Sequence, residues 1–219
     1  YEWVRDFYER GDEFFQNNSL GPMQISMFKR FLSDAQLAEK NKVTEFMLLT
    51  KRIGWESDSA WGLILIQLVY ENPQIRWYID NMPVNERMPR TYLEDLLTET
   101  GLSEKDAKSI TKAFGRLCDL PLGTALNFGA VEKKGRQITS LTRYKASLRD
   151  DRVILYALYR FAEACDGYYQ FTLSRLLDES IVSNGICPSR LFGLDSDAVK
   201  QIVYGLSAGY PDYLYATFT

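Results

Sequence analysis

Histidine does not occur among the 219 residues. Its absence excludes Ser-His-Asp and Cys-His nucleophile systems, an HExxH zinc site and mixed Cys/His fingers. Cysteine is nearly as scarce. Cys118, Cys165 and Cys187 are odd in number and widely spaced, with no CxxC, so a zinc ribbon and a thioredoxin-like motif are excluded too. Three reduced, mostly buried thiols are expected, as in a cytoplasmic protein. Long apolar runs are also missing. The most apolar stretch, AWGLILIQLVY over Ala60–Tyr70, is about half the ~20 residues that a membrane span needs. It reads as a buried helix, and no membrane partner is expected. Neither GxGxxG nor GxxxxGK[ST] is present, which removes the common Gly-rich phosphate loops. The adjacent acids Glu94-Asp95 and Asp150-Asp151 point about 100° apart on a helix and make no convergent acid/base pair. No catalytic residue, metal site or cofactor is expected in this segment.

Hydrophobic residues at 46% and aromatics at 14% place the chain among globular proteins rather than disordered ones. It begins at Tyr1 in a stretch that already looks helical and stops in the alternating run YLYATFT. Both ends read as cuts, so an excised domain is expected. Within residues 1–16, Trp3, Phe7, Phe14 and Phe15 are the candidate core contacts. After the turn at Asn17–Gly21, Pro22 suits the first position of a helix. Met23, Met27, Phe28, Phe31, Leu32 and Ala35 continue that helix at helical spacing. Lys42–Ile53 is short and β-branched enough to be a strand or hairpin arm. Ser59–Glu71 is a helix with almost no polar face. The segment Asn72–Arg90, broken by Pro73, Pro83 and Pro89, is the best linker.

Thr91–Glu94 reads as a capping box that opens a helix through Thr98. Gly101–Ser103 is a tight turn, and a further helix runs to about Cys118. Phe128–Tyr144 reads as two strands around Lys134-Gly135. Helices are expected over Arg152–Cys165, Leu173–Glu179 and Ser196–Ser207, with a final strand after Pro211. Helix, turn, helix and strands recur in this order up to three times. The expected fold is mainly α (α+β), built of tandem winged-helix or helix-turn-helix-like units with short β-wings. The units are 1–84, 85–150 and 151–219.

One stretch carries a charge signature. On the helix from Ser103, residues Lys105, Lys108, Lys112 and Arg116 fall within an arc of about 80°, opposite Ala107, Ile110, Thr111 and Phe114. The hairpin that follows carries Lys133, Lys134 and Arg136, with Arg143 and Lys145 farther on. Residues 105–149 hold ten Lys/Arg against three Asp/Glu, a surplus of seven positive charges. The net charge of −3 therefore leaves ten net negative charges elsewhere. A basic helix face beside a basic hairpin is the footprint of a polyanion-binding surface. It assigns Lys105, Lys108, Lys112, Arg116, Lys133, Lys134, Arg136 and Arg143 to double-stranded DNA. The competing reading is an ordinary solvated lysine face. Lys29 and Arg30 in the first unit are weaker candidates; Lys200 stands alone on the last helix, behind Asp195 and Asp197, and the third unit is not expected to bind DNA. Trp55, Trp61 and Trp77 sit in apolar surroundings and read as core. The tyrosines at 168, 169, 210, 213 and 215 read as packing between units or a protein interface.

Four phrases together resemble a known family: LGPMQISMFKRFLSDAQL from Leu20, WGLILIQL from Trp61, IRWYIDNMPVN from Ile75 and LFGLDSDAVKQIVYGLSAGYPDYLYATFT from Leu191. They are similar to an uncharacterised bacterial domain family found beside, or fused to, phosphoadenosine phosphosulfate (PAPS) reductase-like proteins of DNA sulfur-modification (phosphorothioation) and phage-defence loci. The resemblance spans residues 20–219. The family's opening His-Glu-Thr-Phe-like segment has no counterpart here, and neither do the reductase's adenylyl-sulfate and cysteine motifs. The resemblance implies a non-catalytic accessory segment, the C-terminal part of a PAPS-reductase-like protein, whose chemistry belongs to a reductase-like module in cis or in trans. The alternative is a protein-interaction scaffold that docks that module or another subunit.

Overall fold

The computed structural model describes residues 2–177 and 184–217. The chain is mainly helical, with two small antiparallel sheets. Helix α1 (Glu2–Arg10) and the single turn α2 (Glu13–Gln16) are separated at Gly11, whose φ of +59° suits glycine. Phe7 and Phe14 are buried between these helices and Phe28 of α3 (Pro22–Asp34), edge to face. Trp3 is 39% exposed and contributes less than its type implies. Strands β1 (Ala38–Glu39) and β2 (Lys42–Val43) form a minimal hairpin. Its two turn residues, Lys40 and Asn41, both have positive φ, as a two-residue hairpin turn requires.

Lys42–Ile53 is not a hairpin arm beyond Val43. Residues Glu45–Ile53 form helix α4, because the Thr44 hydroxyl accepts from the Met47 amide and caps the first turn. Thr44 and Ile53 lie at the cap and the end, where they cost the helix little, and the one β-branched residue inside it, Thr50, donates its hydroxyl to the Met47 carbonyl. Helix α5 (Asp58–Glu71) is buried from Asp58 to Val69, as expected of a helix without a polar face. Ser57 caps it through the Ala60 amide. Gly62 allows close approach: a Cβ there would lie 2.9 Å from both Leu148 and Val153 side chains. Asp58 accepts from the Arg149 amide and from the Nε and Nη2 of its guanidinium at 3.0–3.1 Å. Burial pushes the Asp58 carboxyl up, but these hydrogen bonds outweigh it and leave it below its ordinary value.

The expected linker at 72–90 is a packed part of the fold. Pro73 opens helix α6 (Pro73–Asn81) at its first position, and Asn72 caps it through the amides of Gln74 and Ile75. Ile75, Tyr78 and Ile79 are buried. A short strand, β3 (Arg87–Pro89), leads directly into helix α7 (Arg90–Glu99). The capping box expected at Thr91 is absent because the helix begins two residues earlier than that box requires, at Arg90 after Pro89, which has no side-chain acceptor. Helix α8 (Glu104–Leu117) starts at Ser103, whose hydroxyl accepts from the Asp106 amide. A turn of helix, α9 (Pro121–Thr124), precedes β4 (Gly129–Lys134) and β5 (Gln137–Arg143). The sheet order is β3-β5-β4, antiparallel throughout, with a bulge between Glu132 and Lys133.

Helices α10 (Arg152–Ala164), α11 (Leu173–Leu177), α12 (Pro188–Phe192) and α13 (Ser196–Gly209) complete the chain. Asp195 caps α13 through the Ala198 amide. The expected strand after Pro211 is a turn and coil as far as residue 217, and residues 151–217 contain no strand among those described. A third β-wing is therefore not found there. Tyr1, the continuation of α11 to Glu179 and the last residues of YLYATFT lie outside the described residues. One contiguous buried cluster extends from Val4 to Phe192, with α5 contributing Trp61, Ile64, Leu65 and Ile66 to it. Phe161, Leu176 and Cys187 form a small separate cluster. The three cysteines are free, with Cys118 and Cys187 buried. Among the described residues no helix is long and apolar enough to cross a membrane.

Candidate nucleic-acid interface

Helix α8 is held on the inside by Ala107, Ile110, Thr111, Phe114 and Gly115. Phe114 stacks parallel to Trp77 of α6 at 6.2 Å and tilts against Tyr78 at 4.8 Å. Trp77 is thus a packing residue, as are the buried Trp61 and Trp55, which stacks on Tyr8. With this side fixed, Lys105, Lys108, Lys112 and Arg116 all stand exposed on the other.

Gly115 sets how the hairpin meets the helix. A Cβ at this position would lie 2.3 Å from Ile138 Cδ1 and 3.3 Å from Val131 Cγ1, so glycine lets the side chains of β4 and β5 pack directly on α8, and a larger residue must turn Ile138 aside. On the helical wheel Gly115 is about 20° from Lys108, the edge of the basic arc. The hairpin therefore flanks the arc. Its tip carries Lys133, Lys134 and Arg136, all exposed, around Gly135 at φ +63°.

Ion pairing divides these cations. Lys108 Nζ is 3.2 Å from Glu104 Oε2, and Lys133 Nζ is 3.4 Å from Asp119 Oδ2. The side chains of Lys105, Lys112, Arg116, Lys134 and Arg136 have no hydrogen-bond or ion-pair partner among the described residues. A groove of about 500 Å³ runs along the helix, lined by Arg90, Glu104, Lys105, Lys108, Ser109 and Lys112. Arg90 is itself paired with Glu94. On the hairpin, Glu132 accepts from Arg87 across the sheet at 2.7 Å and from Ser140 at 2.9 Å. These hydrogen bonds, that from Arg87 first, hold the Glu132 carboxyl below its ordinary value.

Arg143 does not belong to this surface. It is 2% exposed, at the far end of β5. Its guanidinium donates to the carbonyls of Ile79 (2.8 Å) and Met82 (3.1 Å) at the end of α6, and to those of Arg190 and Leu191 (3.2 Å) in α12. Phe128 lies under it at 6.0 Å. It satisfies carbonyls that two helix ends leave open, where a cation is favoured. Lys145 and Arg149, counted in the basic surplus, pair with Asp195 and Asp58. The weaker candidates are also engaged: Lys29 lies over the Phe15 ring, and Arg30 is 3.9 Å from Asp34.

The residue that sequence reasoning missed is Gly115. Its signal is slight: a glycine in the last turn of a helix costs up to about 1 kcal/mol relative to alanine, which a close contact offsets. Compared with known proteins, the chain matches no family model, no curated protein and no solved structure.

Proposed function

We propose that this chain is a non-catalytic DNA-binding accessory domain whose middle part is a winged helix. The order α6, β3, α7, α8, β4, β5 with the sheet ordered β3-β5-β4 supports that reading. Helix α8 is then the helix that faces the groove, and the β4–β5 turn is the wing. The observation that carries the proposal is that five exposed cations with no hydrogen-bond or ion-pair partner among the described residues, Lys105, Lys112, Arg116, Lys134 and Arg136, lie on one helix face and the hairpin beside it. Isolated lysines on a solvated helix do not account for a second, flanking basic element brought in by a glycine contact. The resemblance to the PAPS-reductase-associated family extends the reading: a reductase-like module, in cis or in trans, performs the chemistry in the cytoplasm, and this segment holds the DNA on which it acts.

The test is direct. With Lys105, Lys108, Lys112 and Arg116 changed together to Glu, duplex binding in a fluorescence anisotropy titration is expected to disappear at moderate salt. An unchanged affinity and salt slope rejects the proposal.

A second reading, a protein-docking scaffold, has its own observation. Tyr159, Tyr168, Tyr169, Tyr204, Tyr213 and Tyr215 are all at least 36% exposed. Some of them are joined: Tyr159 donates to the Tyr213 carbonyl at 2.7 Å and lies 5.9 Å from the Tyr169 ring. Tyrosines are enriched at interfaces. Association through them is insensitive to salt, so copurification with a reductase-like module in high salt, without DNA retention in low salt, favours docking.

A further inference from the structure

The nucleic-acid reading above is the premise of a sharper one. We infer that this surface grips the two sugar–phosphate strands of B-form duplex DNA without reading its bases.

The span of charge selects a duplex. From Lys105 to Arg116 is eleven residues, about 16 Å along the helix. The B-DNA major groove is about 12 Å wide. With the helix laid across the groove, the ends of the stripe reach phosphates on both walls, and a single strand has only one. The hairpin cations Lys134 and Arg136 lie to one side of this line and meet the backbone beyond it.

The surface also lacks what single strands need. Binding of single strands without sequence preference relies on exposed aromatic rings on which bases stack. Between Tyr92 and Tyr159 no aromatic side chain is exposed, and Leu102 is the one exposed large hydrophobic residue.

Nor does α8 offer the groups that read adenine or cytosine edges, so guanine is the one base its cations could read. Adenine is read by Asn or Gln, and cytosine by a carboxylate. Helix α8 contains no Asn or Gln. Its acids at the groove-facing end are occupied: Glu104 with Lys108, and Asp106 by the Ser103 hydroxyl at 2.6 Å. Lys105 and Lys112 are flexible point charges suited to phosphate. Ser109 and Ala113 complete the outward face, and neither has the reach for bidentate readout. Arg116, in the last turn, is the one side chain of the stripe with a planar fork that matches a guanine edge, so any residual sequence preference is expected to be for guanine and to depend on Arg116.

The experiment titrates the chain against three 20-base-pair DNA duplexes of unrelated sequence, their separated strands and a matching RNA duplex, between 50 and 200 mM salt. The three duplexes are expected to agree within about three-fold, with single strands and RNA at least ten-fold weaker. Five phosphate contacts imply a log–log salt slope of about −4.5, or a roughly 500-fold loss over that range. Each of Lys105→Ala, Lys112→Ala, Arg116→Ala and Lys134→Ala is expected to flatten the slope by about 0.9. A preference above 30-fold among the duplexes, or single strands or RNA bound as tightly, overturns this inference and leaves the DNA-binding proposal standing. No binding to any of the probes at 50 mM salt overturns both.

Discussion

The chain makes one local arrangement twice, an amphipathic helix followed by an antiparallel hairpin, and the two copies end as different surfaces. In the first, α3 turns Met23 and Met27 outward, its cations Lys29 and Arg30 are engaged, and the hairpin strands are two residues long. In the second, α8 turns cations outward, and the strands run six and seven residues. The difference starts from what pins each hairpin. The first is tied by one exposed carboxylate, Asp12, which accepts from the Val43 amide at 2.7 Å. The second is anchored by the buried Arg143 guanidinium at four carbonyls. A long hairpin can project a charged tip only when its base is fixed, and the second is fixed between α6 and α12.

Breaking the stronger anchor has the largest expected effect. Arg143→Leu leaves four buried carbonyls without their donor and is expected to cost about 3–5 kcal/mol of stability. Arg143→Lys keeps the charge but loses the fork, so it should fall between Leu and wild type. Urea denaturation followed by tryptophan fluorescence checks this. A loss under 1 kcal/mol for Arg143→Leu contradicts the anchoring role.

Next comes the contact that sets the second copy apart. Gly115→Val forces a branched side chain onto Ile138, already 2.3 Å from a plain Cβ. Overpacking of this kind costs about 1–3 kcal/mol. It also displaces the hairpin from α8, so duplex affinity falls although no cation is removed. Full affinity in a folded Gly115→Val protein separates the helix from the hairpin and weakens the two-part surface.

These residues also mark where the sequence was legible. The amphipathicity of α8, its Ser103 cap and the hairpin around Gly135 follow from local rules: a 3.6-residue period, a capping hydroxyl and a turn glycine. Helix α5 follows from its uniform apolarity. Arg143 was misread because charges were counted without strand direction. Leu141 is core, and the two-residue period puts Arg143 on the same side. Helix α4 was misread because Val43, Thr44 and Ile53 look β-prone, although Thr44 is a cap, and Lys51, Arg52 and Gly54 are helix-end signals. Pro73 was read as a breaker, yet after Asn72 it opens a helix. The partners of Lys108 and Lys133 divide differently. Glu104 is four residues from Lys108 and readable, whereas Asp119 is fourteen residues from Lys133, across the fold.

The weaker anchor gives a smaller effect. Asp12→Ala removes one exposed hydrogen bond and is expected to cost about 1 kcal/mol. Amide exchange at Val43 should quicken while exchange along β4 and β5 stays as it was. Duplex binding is expected to be unchanged, since the first copy has no basic helix face beside its hairpin: Lys29 and Arg30 of α3 are engaged, and Lys42 on β2 is a single exposed cation. An affinity that follows Asp12 would make the first hairpin part of the DNA surface.

The smallest expected effect is a gain. In the second copy Glu104 and Asp119 each hold a cation of the proposed DNA surface. These pairs are exposed, worth about 0–1 kcal/mol in themselves, so they compete weakly with phosphate. Changing Glu104→Gln and Asp119→Asn together frees Lys108 and Lys133 with almost no change in shape. Duplex binding should tighten about two- to five-fold at 100 mM salt, and the salt slope should steepen by up to about 0.9 for each lysine released. In the first copy, Asp34→Asn frees Arg30 in the same way and should change nothing. A matching gain from Asp34→Asn means that any released cation tightens binding through net charge alone, and the comparison between the two copies then fails. No gain from the Glu104 and Asp119 changes places Lys108 and Lys133 outside the contact and confines it to the five unpaired cations.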